Sequence, residues 1–201
     1  MPDESSGETG PRDSLRPEVV EPLLQGGFGR PYRYLRRCAS TQRELEPDAP
    51  EGAVVATDEQ TDGRGRLGRT WLAEPGTSLL FSLNLRPTIE TPRLPELTIL
   101  AGLAAAHAIE GETGIRPDIK LPNDLLVGGR KLAGILAEAR EGRVVLGMGV
   151  NVNVELEHLP TNVDREPTSL LAELGRQTGR ASLLAAILLE LERRYDRWLR
   201  R

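Results

Sequence analysis

A run of predicted strands joined by very short turns constrains the fold of this chain more than any other feature. The segments are PDIKL at 117–121, DLLV and KLAGILAEA on either side of GGR at 128–130, and EGRVVLGMGVNVNV at 141–154. Short glycine-containing turns such as GGR and REGR connect antiparallel neighbours. A parallel pair would need a crossover of about a dozen residues or more. Consecutive hairpins are therefore predicted here, and a doubly wound nucleotide fold is disfavoured.

Two long helical patterns lie outside this run of strands. Residues 95–114 begin with Pro95, a residue favoured in the first helical turn, and residues 182–201 form a leucine-rich pattern. Further strands are predicted at 32–39, 52–57 and 78–85. Strands that meet as hairpins, with helices grouped between and after them, indicate an α+β fold. We expect a mixed, largely antiparallel sheet with helices packed on it.

The chain divides into a short polar segment and one domain. Residues 1–15 combine Ser, Gly, Pro and acidic residues with almost no apolar side chains. Such a composition cannot bury enough apolar surface to order itself. We therefore expect a disordered or weakly structured N-terminal segment over residues 1–30. Residues 31–201 are long enough to form a single domain with its own core.

Composition excludes several classes of protein. The formal net charge is −4, which argues against a general nucleic-acid binder. A single cysteine, Cys38, and two histidines make a His/Cys metal cage implausible. No apolar run approaches the ~20 residues of a membrane span. The first residues, MPDESSGETGPRDS, lack the apolar core of a signal peptide, so the sequence indicates a cytoplasmic protein.

One loop concentrates positive charge in this acidic chain. The stretch TDGRGRLGRTW, residues 61–71, is called the Arg-Gly loop below and carries Arg64, Arg66 and Arg69 between glycines. Glycine lets the backbone approach a ligand closely, and arginine offers forked donors that suit phosphate or carboxylate. The loop alone is equally consistent with a solvated basic turn or an RNA contact.

Three further segments carry candidate site residues. In KLPNDLL, residues 120–126, Lys120 and Asp124 could serve a nucleotide and its Mg²⁺, although Asn-Asp is also ordinary turn chemistry. Lys131 begins an otherwise apolar strand, where it needs either an anion or an exit to solvent. Glycine in the strand GMGVNVN, residues 147–153, indicates close approach of a ligand or backbone. Asn151 is either a satisfied core amide or a ligand contact.

Taken together, five segments resemble the biotin–protein ligases. They are STQ (40–42), EQTDGRGRLGRTW (59–71), KLPNDLL (120–126), KLAGILAE (131–138) and GMGVNVN (147–153), in that family's order and spacing. The resemblance runs from about Tyr32 to the end of the last predicted helix. It implies the catalytic domain of these ligases, with a class II synthetase-like sheet. No helix-turn-helix pattern precedes the first strand, so the resemblance is to the type without an N-terminal DNA-binding domain.

The resemblance implies a two-step reaction. Biotin is activated with ATP to biotinyl-5′-AMP, and the biotinyl group is transferred to a lysine of a biotin carboxyl carrier protein. ATP with Mg²⁺ would be the co-substrate and biotin the substrate, with no permanently bound cofactor. Mg²⁺ would arrive with ATP, near Asp124, rather than occupy a permanent protein site. Neither DNA nor a membrane is an expected partner, and a homodimer is allowed because such ligases often pair through a sheet edge.

The resemblance also implies roles for individual residues. Lys131 and Arg66 correspond to the catalytic residues, Lys131 bridging the biotin carboxylate and the α-phosphate and Arg66 retaining the adenylate. The expected biotin-binding residues are Ser40, Thr41, Gln42, Gln60, Gly63, Arg64, Gly65, Arg66, Lys131 and Gly134. The expected ATP-binding residues are Arg69, Trp71, Lys120, Asn123, Asp124, Gly147 and Asn151.

The sequence departs from the family pattern in four places. Leu121 replaces a usual Trp, Gln42 replaces the commoner Asn, and Asp62 replaces a small neutral residue in the Arg-Gly loop. We expect Asp62 to bring negative charge near the anion site and Leu121 to loosen the packing beneath the nucleotide. The small β-barrel domain that usually follows the last helix is expected to be absent, since the sequence given ends at RWLRR.

Three other functions are consistent with parts of the pattern. A related lipoate or octanoate ligase would share the fold, but those families lack this form of the Arg-Gly loop. A non-catalytic biotin or nucleotide sensor would keep the pocket without turnover. An RNA-binding module is disfavoured by the acidic net charge and by the small number of aromatic residues, seven in the chain.

Overall fold

A seven-stranded mixed sheet forms the centre of the protein. The computed structural model describes residues 13–87, 93–161 and 165–200. Its strand order is β1-β2-β3-β7-β6-β5-β4, and among these strands β1 and β2 alone pair in parallel. The strands are β1 Tyr32–Cys38, β2 Val54–Gln60, β3 Ser78–Leu85, β4 Asp118–Lys120, β5 Asp124–Val127, β6 Arg130–Arg140 and β7 Arg143–Asn151. The predicted hairpins β4–β5–β6–β7 and the α+β class are confirmed.

Two 20-residue helices cover one face of the sheet. They are α3 Leu94–Thr113 and α5 Arg180–Leu199. Gly114, with a φ of 79°, ends α3 and donates its N–H to the carbonyl of Glu110. The shorter elements are α1 Pro17–Val20, α2 Thr41–Glu44, α4 Leu170–Leu174 and the 3₁₀ turns Glu21–Leu23, Arg66–Gly68 and Leu156–His158.

Alternation along the central strands separates a helix-covered face from an open face. Every residue of β3 and β7 is buried. On β7, the even-numbered residues from Val144 to Val150 join the main core with α3 and α5. The odd-numbered residues lie on the opposite face, where Val145 packs in a small second cluster with Leu45 and Val55. This face also carries Gly147 and Gly149, so it is left open for a cavity.

The N-terminal segment is more ordered than predicted. Leu15, Val20, Leu24 and Phe28 are all buried in the main core. These apolar side chains pack beneath α5, a tertiary contact that the local composition of residues 1–30 does not reveal. The expected disordered or weakly structured segment therefore does not extend over residues 13–30, and residues 1–12 lie outside the described part of the chain.

A buried guanidinium joins the N-terminal segment to the sheet. Arg180 is 1% exposed, and its Nε lies 3.2 Å from both carboxylate oxygens of Asp13. Its Nη1 donates to Asp58 Oδ1 at 2.9 Å and to the carbonyl of Ser78 at 3.2 Å, and its Nη2 donates to the carbonyl of Asp13 at 2.8 Å. Tyr34 donates its hydroxyl hydrogen to Asp58; burial, then this bond, raise the pKa of Tyr34 to about 12.

Within residues 13–87, 93–161 and 165–200, none of the helices combines the length and the apolar character that crossing a membrane requires.

We predict that Arg180→Ala lowers the free energy of unfolding by about 3–5 kcal/mol, because it leaves the buried carboxylate of Asp13 and the half-buried carboxylate of Asp58 without their cation. Urea unfolding would measure the loss. Arg197→Ala is the matched control, since Arg197 lies on the same helix with an exposed side chain, and it should cost under about 0.5 kcal/mol. Equal costs for the two variants would contradict the prediction.

Candidate functional site

A cavity of about 780 Å³ lies on the open face of the sheet. Its floor is formed by β6 and β7, and its walls come from three separate parts of the chain. These are the start of α2, the Arg-Gly loop, and the β4–β5 connection at 120–124. A short segment at 165–167 completes the rim. The five segments that are far apart in sequence therefore meet around one space.

Three glycines make the floor of this cavity flat. Gly134 and Gly149 are directly opposite each other on β6 and β7. A Cβ atom at Gly149 would lie 2.5 Å from Cε2 of Trp71, and one at Gly134 would lie 2.8 Å from Cζ3 of the same ring. A Cβ at Gly147 would lie 2.6 Å from Nε2 of Gln42. The indole and the amide can rest on the sheet only because these positions lack side chains.

The Arg-Gly loop is closed by its own backbone. Trp71 donates its N–H to the carbonyl of Gly63 at 2.9 Å, and Gly65 donates to the carbonyl of Arg69 at 2.7 Å. A Cβ at Gly63 would lie 2.4 Å from the carbonyl oxygen of Trp71, so this position requires glycine. Leu67, at the tip, has a φ of 60° and is 82% exposed. The loop thus folds back over the cavity with its arginines around the rim.

Positive charge is concentrated in the cavity wall. Of the described lining residues, Asp124 is the one carboxylate, against six cationic side chains: Arg64, Arg66, Arg69, Lys120, Lys131 and Arg165. Lys120 and Lys131 are the two lysines of the whole sequence, and both line this cavity. A cationic cavity in a chain of net charge −4 is suited to an anionic ligand.

Lys131 points into the cavity rather than outward to bulk solvent. Its Nζ lies 2.9 Å from Asp124 Oδ1 and 5.5 Å from the centroid of the Trp71 ring. Although the ammonium is at ion-pair distance, the buried Asp124 Oδ1 accepts no aligned hydrogen bond. The main chain of Lys131 is fixed as well, because its N–H donates to the carbonyl of Glu166 and its carbonyl accepts from the N–H of Thr168.

The opposite end of the cavity presents uncharged polar groups. The Thr41 N–H donates to Gln60 Oε1 at 2.8 Å, and Gln42 Nε2 donates to the carbonyl of Leu136 at 2.9 Å. Three atoms are buried and have no hydrogen-bond partner: Ser40 Oγ, Gln42 Oε1 and Trp71 Nε1. Buried polar atoms are normally paired, so these orphans in one cavity indicate groups that a ligand satisfies.

Most of the sequence-predicted site residues come together here. All of them except Gly63 line the cavity, and Gly63 lies at the base of the loop. Asn151 is buried and donates its amide to the carbonyl of Thr168 at 2.9 Å, so it also has a structural bond. Leu121 lies at the mouth and is 60% exposed. The ligand roles of these residues remain predictions.

The structure places Asp62 differently from the expectation. Its Oδ2 lies 2.8 Å from Nη2 of Arg43, and the residue does not belong to the cavity lining. Its N–H donates to the carbonyl of Ala39, which turns the side chain toward α2. The negative charge is thus paired locally instead of facing the cationic wall.

Gly149 and Arg165 are among the lining residues that sequence reasoning did not identify. Gly149 continues the alternation of glycines on β7, so the pattern of Gly147 could have identified it. Arg165 reaches the rim from a segment with no recognisable motif, and its Nη1 lies 3.4 Å from the carbonyl of Gly129. Only the tertiary fold brings that arginine to the cavity. Among the described residues, no group of three or more His, Cys, Asp or Glu could hold a metal ion.

An α+β domain with a cationic cavity over a glycine floor is suited to a small molecule that bears both an anionic and a polar uncharged group. The sequence profile of the Biotin/lipoate A/B protein ligase family matches residues 34–155, more than half of the chain. The chain belongs to this family, as the sequence motifs predicted.

Several characterised proteins are similar to this chain. The bifunctional ligase/repressor BirA of Bacillus spizizenii is 43% identical over 177 residues, which are 84% of this chain and 54% of that protein. The biotin–[acetyl-CoA-carboxylase] ligase of Mycobacterium tuberculosis is 36% identical over an alignment of 204 positions, which covers 93% of this chain and 74% of that protein. The biotin protein ligase from Aquifex aeolicus, solved in complex with biotin and ATP, superimposes with a TM-score of 0.77 at 31% identity, covering 84% of this chain and 71% of that one. The chain spans about half the length of the first two curated relatives that it matches.

We predict that Gly149→Ala displaces Trp71 from the cavity floor, because the new Cβ overlaps the indole ring. The tryptophan emission maximum should move to longer wavelength, and the free energy of unfolding should fall by about 1–3 kcal/mol. Gly111→Ala in α3 is the control, since a Cβ there meets nothing within 4 Å. An unchanged emission spectrum for Gly149→Ala would show that the ring does not rest on this floor.

Proposed function

We propose that this chain is the catalytic domain of a biotin–protein ligase. It activates biotin with ATP to biotinyl-5′-AMP and transfers the biotinyl group to a lysine of a biotin carboxyl carrier protein. The observation that carries the proposal is the pair of buried, unpartnered atoms Ser40 Oγ and Gln42 Oε1 at the uncharged end of the cationic cavity. A ureido ring supplies N–H and C=O groups for them. A lipoyl or octanoyl chain is apolar and would leave them unpaired at a cost.

In this proposal the cavity orients biotin by its two chemically different ends. Ser40, Thr41, Gln42 and Gln60 bind the ureido ring, with Gln60 held in place by the Thr41 N–H. Gly63 and Gly65 let the loop backbone approach the biotin closely, and Gly134 leaves space on the cavity floor. The carboxylate then points toward the cationic end, where Lys131 lies.

The first step joins two anions, and the cations make that possible. The biotin carboxylate oxygen attacks the α-phosphorus, an acyl–phosphate bond forms, and the bond to the β-phosphate breaks with release of pyrophosphate. In this proposal Lys131 contacts both the carboxylate and the α-phosphate, and Arg64 and Arg66 lower the repulsion between them; all three residues line the cavity. Asp124 is the lining carboxylate that would hold a Mg²⁺ ion brought by ATP, and that ion would neutralise further phosphate charge.

The nucleotide occupies the other half of the cavity. Trp71 presents its ring above Gly134 and Gly149, and Gly147 leaves the adjoining floor beneath the Gln42 amide without a side chain. Arg69 and Lys120 provide charge for the phosphates. Asn123 and Asp124 lie in the β4–β5 connection beside Lys131. Asn151 acts partly through structure, because it fixes the segment that pairs with Lys131.

The second step needs a protein substrate at the mouth of the cavity. A lysine amine attacks the acyl carbon of the adenylate, the amide forms, and AMP leaves with the bonding electrons while the amine loses its proton. Arg66 and the rest of the Arg-Gly loop shield the mixed anhydride from water until then. We propose a cytoplasmic enzyme whose partner is a biotin carboxyl carrier protein. In this proposal DNA is not a partner, and the enzyme can form a homodimer.

The direct test is exchange of labelled pyrophosphate into ATP, with Mg²⁺ and without a carrier protein. Exchange that depends on biotin and not on lipoate supports the proposal. Biotin binding by calorimetry without exchange would favour a non-catalytic biotin sensor. Exchange with lipoate or octanoate alone would favour the related ligase. If the protein shows no exchange and does not bind biotin, the assignment is wrong.

We predict that Lys131→Ala lowers the exchange rate by about 10³-fold or more, because the cation between the two reacting anions is lost. Circular dichroism would check that the fold is retained. Arg37→Ala is the control, since Arg37 pairs with Glu59 on the surface and should leave the rate unchanged. Near-parental exchange by Lys131→Ala would exclude Lys131 from the mechanism.

We predict that Arg66→Gly releases the adenylate from the cavity. A bystander protein such as albumin should then be biotinylated on its lysines, several-fold faster than with the parent, as read by streptavidin blotting. Arg116→Gly, at an exposed position in the loop after α3, is the matched control. Equal bystander labelling by the parent and Arg66→Gly would count against a retaining role for this arginine.

A further inference from the structure

Glu138 lies on β6 beside the cavity but outside its lining. It shares the open face of the strand with Gly134, Leu136 and Arg140, and its side chain is 26% exposed. Its two carboxylate oxygens have different arginine partners. Oε2 accepts from Arg140 Nη2 at 2.7 Å, and Oε1 lies 3.4 Å from Arg64 Nη1. One carboxylate therefore bridges two guanidinium groups.

The two arginines belong to the two sides of the proposed biotin site. Arg64 is part of the Arg-Gly loop. Arg140 Nη1 donates to the carbonyl of Gln42 at 2.9 Å, in α2, next to Ser40 and Thr41. The side chain of Gln42 is tied to the same strand, because its Nε2 donates to the carbonyl of Leu136. A continuous set of contacts thus runs from α2 through β6 to the loop.

The charges of this set depend on Glu138. Without its carboxylate, Arg64 and Arg140 would be two like charges sharing one region of the sheet face. Arg64 would then lose its ion-pair tether to β6 and keep its backbone bridge to Thr70. Arg140 would keep its bond to Gln42 but lose the partner that orients it. The loop side of the site would become free to move relative to α2.

We propose that Glu138 is a positioning residue that holds the Arg-Gly loop over the biotin site by fixing Arg64, and that couples this loop to α2 through Arg140. It acts through these arginines and does not touch the ligand. The inference rests on the proposed function for its effect on biotin, whereas its effect on the loop is independent of any ligand. An exposed ion pair alone has a small effect, and sharing the carboxylate between two arginines strengthens it.

The first part of the test needs no ligand. Hydrogen exchange is measured at the amides of Gly65 and Trp71, which are bonded within the loop to Arg69 and Gly63. Glu138→Gln should speed their exchange by about threefold to tenfold. Glu190→Gln is the matched control, because Glu190 also bridges two arginines, Arg193 and Arg194 on α5, at 3.2 Å each. Unchanged loop exchange in Glu138→Gln, or an equal change in Glu190→Gln, would overturn the proposal.

The second part measures the rate of biotin dissociation in a double-mutant cycle. Glu138→Gln should raise this rate by about threefold to tenfold in the parent background and by less than about 1.5-fold in an Arg64→Ala background. An undiminished effect in the Arg64→Ala background would overturn the role through Arg64. Absence of biotin binding by the parent would remove the proposed function and the coupling to biotin, and loop exchange would still decide whether Glu138 positions the loop.

Discussion

The buried guanidinium of Arg180 is the contact on which the rest of the site depends. It binds Asp58 near the end of β2 and the carbonyl of Ser78 at the start of β3, so one group joins both stems of the chain that carries the Arg-Gly loop. Gly76 adds a bond to the carbonyl of Asp58 at 2.9 Å. A buried charge persists only when its donors are satisfied, and Asp13 from the N-terminal segment completes the set. Both stems of the Arg-Gly loop are therefore held at its base.

The distribution of charge differs between the parts of the chain that are held in place and the cavity wall. Carboxylates neutralise arginines where the chain must be held, as Asp13 and Asp58 do for Arg180 and Glu138 does for Arg140. In the cavity wall, by contrast, cations exceed carboxylates: the described lining residues include six cationic side chains and one carboxylate, that of Asp124. An overall acidic protein can therefore present a strongly cationic cavity. The net charge argues against general nucleic-acid binding without bearing on a local anion site.

Local patterns predicted the features that depend on local chemistry. The hairpins followed from short glycine turns, and the motifs at the cavity followed from residue types at fixed spacing. Contacts between distant residues were not predictable, which is why the order of residues 13–30, the pairing of Asp62 with Arg43 and the approach of Arg165 were missed. Glu138 belongs to the same group, because its proposed importance lies in linking its neighbour Arg140 to Arg64, which is far from it in sequence.

The glycine floor explains how one sheet could serve the two ligands of the proposed reaction, which differ in shape. Gly134, Gly147 and Gly149 remove side chains from the centre of β6 and β7, so the ring of Trp71 and the amide of Gln42 become the surfaces that a ligand meets. The side chains that lie above these glycines, and not the glycines themselves, would then determine which ligand binds. A polar end at Ser40 and Gln42 favours a polar ring, whereas apolar residues there would favour an acyl chain on an unchanged sheet.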